Sequence, residues 1–167
     1  DILEKQAKTV YLGIGSNLGD KSKNIEKAKS RLNDNQIKII KSSSYYETLS
    51  WPNIKHPKFL NVVLEVKTNL NVISLLTICK KIEKSLGRKK SPKNFPRECD
   101  IDILDYNNSY IIEKDIDLPH SKAHKRNFVL IPLFEINKNW IHPKSHHHIK
   151  YLIFSLSNAD ITSIKQI

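Results

Sequence analysis

The stretch FLNVVLEVKTNLNVISLLTICKKIEKSLG, residues 59–87, decides the architecture. From Phe59 to Lys67 the side chains alternate. Leu60, Val62, Leu64 and Val66 fall on one face and Phe59, Asn61, Val63 and Glu65 on the other, the period of a half-buried strand. Beyond it the period changes. Val72, Leu75, Leu76, Cys79, Ile82 and Leu86 trace one face of a helix, and Gly87 is placed to stop it at C′.

Working outward in the N-terminal direction, Ile37 to Thr48 is β-branched and aromatic and reads as one long strand, with Pro52 and Pro57 bracketing the loop after it. Further back, Val10, Leu12 and Ile14 alternate with Tyr11 and Gly13 as a strand, which GSNLGD (15–20) breaks. Ile25, Ala28 and Leu32 then mark a helix whose cap is Asp20 or Ser22. In the C-terminal direction a basic, proline-punctuated loop, Arg88–Arg97, leads to a strand at Ile101–Tyr106. An apolar segment, Phe128–Leu133, follows Pro119, and an amphipathic piece covers Ile149–Leu156. The order βαββαβ with C-terminal additions predicts an α+β, ferredoxin-like core: one mostly antiparallel sheet with helices on one face. One domain is expected over residues 1–167, with its core at about 9–157 and short tails.

Composition bounds the function. At 167 residues, 39% hydrophobic and 27% charged, the chain has the balance of a globular protein. No apolar run approaches the ~20 residues of a membrane span, so no membrane partner is expected. The opening DILEKQAK lacks the basic-then-apolar pattern of a secretory signal. The absence of Met suggests a trimmed product or a piece of something longer. Cys79 and Cys99 make neither CxxC nor a metal spacing, which fits a reducing compartment and hence the cytoplasm. The net charge of +11 permits nucleic acid, an acidic membrane surface or a small polyanion without choosing among them. Lys-, Asn- and Ile-rich usage of this kind also follows from a biased genome. A monomer is expected.

Asp100 and Asp102 lie two apart on a predicted strand, so both carboxylates leave one face while Ile101 and Ile103 take the other. A lone DxD is more often a solvated strand face. A paired hard-oxygen donor set also suits Mg²⁺, which binds one or two carboxylates together with substrate phosphates. The neighbours favour the second reading. The chain has four Arg (Arg31, Arg88, Arg97 and Arg126), and two of them flank the loop that enters the acidic strand. Metal-bridged phosphoryl oxygens beside guanidinium groups are what triphosphate chemistry needs. GSNLGD matches neither GxxxxGK[ST] nor GxGxxG and is weak alone. Phe59 and Asn61 share the face away from the predicted core, and an aromatic beside a primary amide suits a flat heterocycle. The run His146–His148 reads as a polar loop, and Trp51 and Trp140 as packing residues.

Taken together, YLGIGSNLGD (11–20), SSYYET (43–48), FLN (59–61), IEKSLGR (82–88), PRECDIDIL (96–104) and LPHSKAHKRNFVLIPLFEI (118–136) resemble the 6-hydroxymethyl-7,8-dihydropterin pyrophosphokinases of folate biosynthesis, in order and in spacing. The resemblance implies transfer of the β,γ-diphosphate of ATP, the co-substrate, to the pterin hydroxymethyl group, with release of AMP. It implies that Asp100 and Asp102 hold two Mg²⁺ ions, and that Arg88 and Arg97 bind and stabilise the transferring group. His120 and Arg126 would contact the ATP phosphates, and Glu83 would lie on the nucleotide side of its helix. Phe59 and Phe128 would sandwich the pterin, Asn61 would hydrogen-bond it with backbone groups near Thr48 and Leu49, and Gly15, Ser16 and Asn17 would line that end of the site. Three positions depart from the family pattern: Lys90 stands for a second Arg, Phe95 for the common Gly, and Ser121 for a frequent aromatic. The competing class is a ferredoxin-like RNA-binding module. It calls for a K/R-G-F/Y-G/A-F-V-x-F/Y string, which the chain lacks, so no nucleic-acid partner is expected.

Overall fold

A computed structural model describes residues 6–167; the first five residues of the expected domain, and with them the start of DILEKQAK, lie outside the described residues. Strands β1 (Lys8–Ser16), β2 (Lys38–Ser42), β3 (Tyr46–Thr48), β4 (Phe59–Thr68) and β5 (Asp100–Tyr106) alternate with helices α1 (Lys21–Asp34) and α2 (Val72–Ser85). A short hairpin of β6 (Ile111–Glu113) and β7 (Ile116–Leu118) precedes α3 (Asn127–Ile136), α4 (Ile149–Phe154), α5 (Asn158–Ser163) and β8 (Lys165–Gln166). The main sheet runs β5-β1-β4-β3-β8, with β2 also on β4 and every pairing antiparallel. With β2 and β3 counted as one position this is the ferredoxin-like order, and the fold class is α+β as expected.

The expected long strand 37–48 is two strands. At the break, the Ser43 hydroxyl accepts from the Val63 N–H (3.0 Å) and the Ser43 N–H donates to the Val63 carbonyl (2.9 Å). The next residue turns away, and its N–H donates to the Glu135 carboxylate of α3 at 3.0 Å. Three consecutive serines let side chains take over the ladder's hydrogen bonds.

The helices do not lie on one face. Helices α1 and α2 bury Ile25, Ala28, Leu32, Leu75, Cys79 and Ile82 against Val10, Leu12, Leu64 and Val66. A second cluster covers the opposite face, where Val129, Leu130 and Leu133 of α3 meet Tyr11, Val63 and Leu104, joined by Trp140, Ile149 and Leu152. The sequence hid this because α3, NFVLIPLFEI, is apolar around most of its circumference and shows no 3.6 period. Trp140 packs as expected and donates its indole N–H to the buried Asp105 carboxylate at 2.8 Å. Past residue 157 the chain still carries structure, since α5 leads into β8, which pairs with β3.

Candidate active site

A cleft of about 1010 Å³ opens where the ends of β1, β4 and β5 meet the loops around them. Gly15, Thr48, Leu49, Phe59, Asn61, Arg88, Arg97, Asp100, Asp102, His120, Arg126 and Phe128 all line it. Of the residues expected at the site, Glu83, Ser16 and Asn17 are not on its wall; all three are buried. The register explains the acids. Asp100 and Asp102 pair with Gly15 and Gly13 of β1, so their carboxylates leave the sheet on one side while Ile101 and Ile103 enter the first core.

Arg88 is delivered by the end of α2. The Gly87 N–H donates to the Lys84 carbonyl and the Arg88 N–H to the Glu83 carbonyl, the two bonds of a Schellman stop, with Gly87 at φ +106°. This sets the Arg88 guanidinium between two acids, 2.6 Å from Asp100 Oδ1 and 2.7 Å from Glu83 Oε1. Glu83 is buried and also accepts from the Ile101 N–H at 2.8 Å. Burial pushes its carboxyl up, and the Ile101 N–H and Arg88 pull it back. Its side chain thus faces strand β5 and Arg88, a placement the sequence did not foresee.

Arg97 sits with Nε 3.4 Å from Asp100 Oδ2, buried without a hydrogen-bond acceptor, and its guanidinium lies 5.5 Å from the centre of the Phe59 ring. Arg126 mirrors it, 3.5 Å from Asp102 Oδ2 and 5.3 Å from the centre of the Phe128 ring. His120 Nε2 stands 3.9 Å from the same Asp102 oxygen. Its Nδ1 accepts from the Lys122 N–H at 3.1 Å, which leaves Nε2 to carry the proton of the neutral ring, and burial holds the ring below the ordinary histidine range. Asp102 is pushed up by burial first and by the Asp100 carboxylate second, against the pull of His120, Arg126 and Arg97. Added positive charge beside Asp102 would therefore favour its ionised form.

At the other end of the cleft the buried Asn61 amide donates to Thr48 Oγ1 at 2.9 Å. Gly15 allows this packing: a Cβ there would lie 3.2 Å from Asn61 Oδ1 and 3.4 Å from Phe59 Cδ1. Asn17, almost fully buried, joins two loops to the end of β1. Its Nδ2 donates to Ser50 Oγ and the Pro57 carbonyl, each at 3.2 Å, while its Oδ1 accepts from the Arg97 N–H at 2.8 Å. Its expected place was the wall; it is a joint, and the cue was a primary amide immediately after a buried strand end. The two loops also touch directly, with the His56 and Phe95 rings 5.8 Å apart.

An α+β fold presenting two acids and three guanidinium groups at one end of a cleft, and two aromatic rings with a buried amide at the other, defines a class. It is a small transferase that brings a polyphosphate to a flat heterocycle. A model of the family 7,8-dihydro-6-hydroxymethylpterin-pyrophosphokinase matches residues 11–138. The chain is 46% identical over 135 residues to 2-amino-4-hydroxy-6-hydroxymethyldihydropteridine pyrophosphokinase of Aquifex aeolicus, covering 81% of this chain and 84% of that one. It is 37% identical over 127 residues to the Bacillus subtilis protein of the same name, covering 75% and 76%. The crystal structure of wild-type Plasmodium falciparum HPPK-DHPS shares the fold, with a TM-score of 0.73 at 16% identity over 96% of this chain and 48% of that one. The chain thus spans about half the length of such bifunctional structures and 43% of the bifunctional protein FolKE of Lactococcus lactis. The chain belongs to the 7,8-dihydro-6-hydroxymethylpterin-pyrophosphokinase family, enzymes of folate biosynthesis.

Proposed function

We propose that this cleft transfers the β,γ-diphosphate of ATP to the hydroxymethyl oxygen of 6-hydroxymethyl-7,8-dihydropterin and releases AMP. One observation carries the reading: the Asp100–Asp102 pair, ringed by Arg88, Arg97 and Arg126, opens into the same cleft as Phe59, Asn61 and Phe128. The pterin ring lies between Phe59 and Phe128, each already backed by a guanidinium. Asn61 and the backbone at Thr48 and Leu49 read its edge, and Gly15 lets Asn61 and Phe59 pack closely beside it. The triphosphate lies along Arg88, Arg97, His120 and Arg126. Arg97 brings its guanidinium to the transferring group from the wall of the cleft, and in a loose transition state a planar guanidinium follows charge onto peripheral oxygens. Glu83 holds Arg88 rather than the nucleotide.

Two Mg²⁺ ions fit the donors present: hard carboxylate oxygens, an Asp102 that is costly to ionise unaided, and ligand sets left for phosphates to complete. Among the described residues no group of three or more His, Cys, Asp or Glu is placed to hold a metal ion, so substrate oxygens would have to supply the remaining ligands. When bound, the ions neutralise phosphate charge and activate the transferring diphosphate.

The chain acts as a monomer in the cytoplasm on this reading. Cys79 and Cys99 are buried free thiols, pushed up to about 12 by burial. No helix among the described residues is long and apolar enough to cross a membrane. Against an RNA-binding module stands the covering of the second sheet face by α3 and α4, where such modules leave aromatics open. The deciding experiment follows nucleotide products during turnover with MgATP and the hydroxymethyl-dihydropterin. Stoichiometric AMP is expected; stoichiometric ADP would mean attack at the γ-phosphorus and end the proposal.

A further inference from the structure

Helix α5 has six residues, none of them buried, so neither its length nor apolar packing holds it in place. Hydrogen bonds at both ends do. At one end the Asn127 side chain, in the first turn of α3, donates through Nδ2 to the Asp160 carbonyl at 2.7 Å and to Ser163 Oγ at 3.4 Å. Its Oδ1 meanwhile accepts from the N–H of Phe128, at 2.7 Å. At the other end β8 pairs with β3, Tyr46 opposite Gln166 and Glu47 opposite Lys165. The Ile167 N–H donates to the Tyr45 carbonyl at 2.9 Å, and the Gln166 amide to Ser44 Oγ at 3.0 Å. Strand β3 is itself tied back to α3, because Tyr46 Oη and Ser44 Oγ both donate to the Glu135 carboxylate at 2.7 Å. The bonds form a closed circuit from α3 through Asn127, α5, β8, β3 and Glu135 to α3 again. Phe128 stands on one side of that circuit and Thr48 on the other, and Asp160 and Ser163 line the same cleft as both.

We infer that residues 158–167 are a strap that fixes the spacing of the pterin walls, with Asn127 as the positioning residue that fastens it. Among the described residues no hydrogen bond or ion pair joins the strap to the acidic pair or the arginines that surround it; its effect falls on ring binding. The inference rests on the proposed placement of the pterin between Phe59 and Phe128. The test compares the unaltered chain with Asn127→Ala, with Asn127→Asp, which keeps an acceptor for Phe128 and loses both donations to the strap, and with Ile167→Pro. The last removes the N–H given to Tyr45 while altering a side chain that is 68% exposed. Each releases one end of the strap. The pterin KM should rise about 3–10-fold in all three, the range set by losing a hydrogen bond or two, with kcat and the ATP KM within about twofold. Hydrogen exchange at residues 45–48 and 158–167 should quicken in each variant without substrate. An unchanged pterin KM in Asn127→Ala and Ile167→Pro overturns the strap, as does an equal rise in the KM of both substrates. If the unaltered protein does not turn the pterin over, the placement beneath the inference fails and the strap falls with it; turnover with unmoved variants removes the strap alone.

Discussion

Gly15 has no room for a side chain, and that makes it a probe of the ring site. A methyl there would press on Asn61 Oδ1 and the Phe59 ring, the two groups assigned to the pterin. Overpacking of this kind costs about 1–3 kcal/mol, so Gly15→Ala should raise the pterin KM by about fivefold or more. Isothermal titration with each substrate alone should show MgATP binding nearly untouched. Asp102 gives a different signature. Its carboxyl is pushed up by burial and by Asp100, so ionisation at neutral pH works against the folded state. Asp102→Asn should therefore raise the Tm of the metal-free protein at pH 7.5 while lowering kcat by ~10²-fold or more, the usual cost of losing one group that stabilises transition-state charge. A Tm that falls would mean that Arg126 and His120 hold Asp102 more strongly than burial opposes it. His142 lies outside the cleft and sets an acid limit on stability. Its Nδ1 accepts from the Lys144 and Ser145 N–H groups, its ring meets His124 edge-on, and burial with neighbouring His124, His147, Lys144 and His146 lowers it to about 4. The unfolded chain therefore takes up this proton first. The stabilisation is complete above about pH 6.5 and fades as pH falls toward 4, with about 1 kcal/mol gone by pH 5.5. In urea titrations His142→Asn should remove that share of the pH slope between 7.5 and 5.5.

At the scale of elements, the junction of α2 with the loop that follows it is where structure and chemistry meet most directly. Gly87 at φ +106° ends the helix, and the next residue is the guanidinium between Glu83 and Asp100. In Gly87→Ala the backbone strain costs about 1–2 kcal/mol, and the new Cβ would come within 3.3 Å of the Glu98 carboxyl carbon. Chemical denaturation should record that loss, and single-turnover kinetics should show a slower chemical step because Arg88 is displaced. A rate unchanged beside a lowered stability would separate the helix stop from catalysis. This junction was legible from the Val72–Leu86 stripe and its terminal glycine, since a helix and its cap are encoded within a few turns of chain. The break between β2 and β3 was not, because what divides the strand is the Glu135 carboxylate, brought to Ser44 from 91 residues away.

Across the whole molecule, the cleft is bounded by two loops that one side chain joins. Asn17 holds Ser50 and Pro57 on one loop and the Arg97 N–H on the other, so the pterin side and the phosphate side are mechanically linked at the end of β1. Asn17→Ala removes all three side-chain bonds. Amide exchange over residues 49–58 and 88–97 should quicken together in the free variant, and binding of either substrate should no longer slow exchange in the other loop. Independent behaviour of the two loops in the unaltered protein would show that Asn17 fastens them without coupling them.

The sequence by itself determined whatever depends on neighbours along the chain. That covers the strand and helix periods, the βαββαβ order, the two carboxylates on one face of β5, and the helix stop that presents Arg88. Pattern resemblance extended this to a residue set, and all of it but Glu83, Ser16 and Asn17 lines one cleft. Only the tertiary structure decided what depends on faces meeting. It put α3 over the second face of the sheet, turned Glu83 inward to Arg88 and the Ile101 N–H, set Asn17 between two loops, and closed the C-terminal segment onto β3 through Asn127. The physical reason is range. A local period reports the burial of a residue relative to its own element, whereas the partner of a buried polar group is chosen by packing across the sheet, and a hydrogen bond between residues 80 apart leaves no periodic trace in either segment.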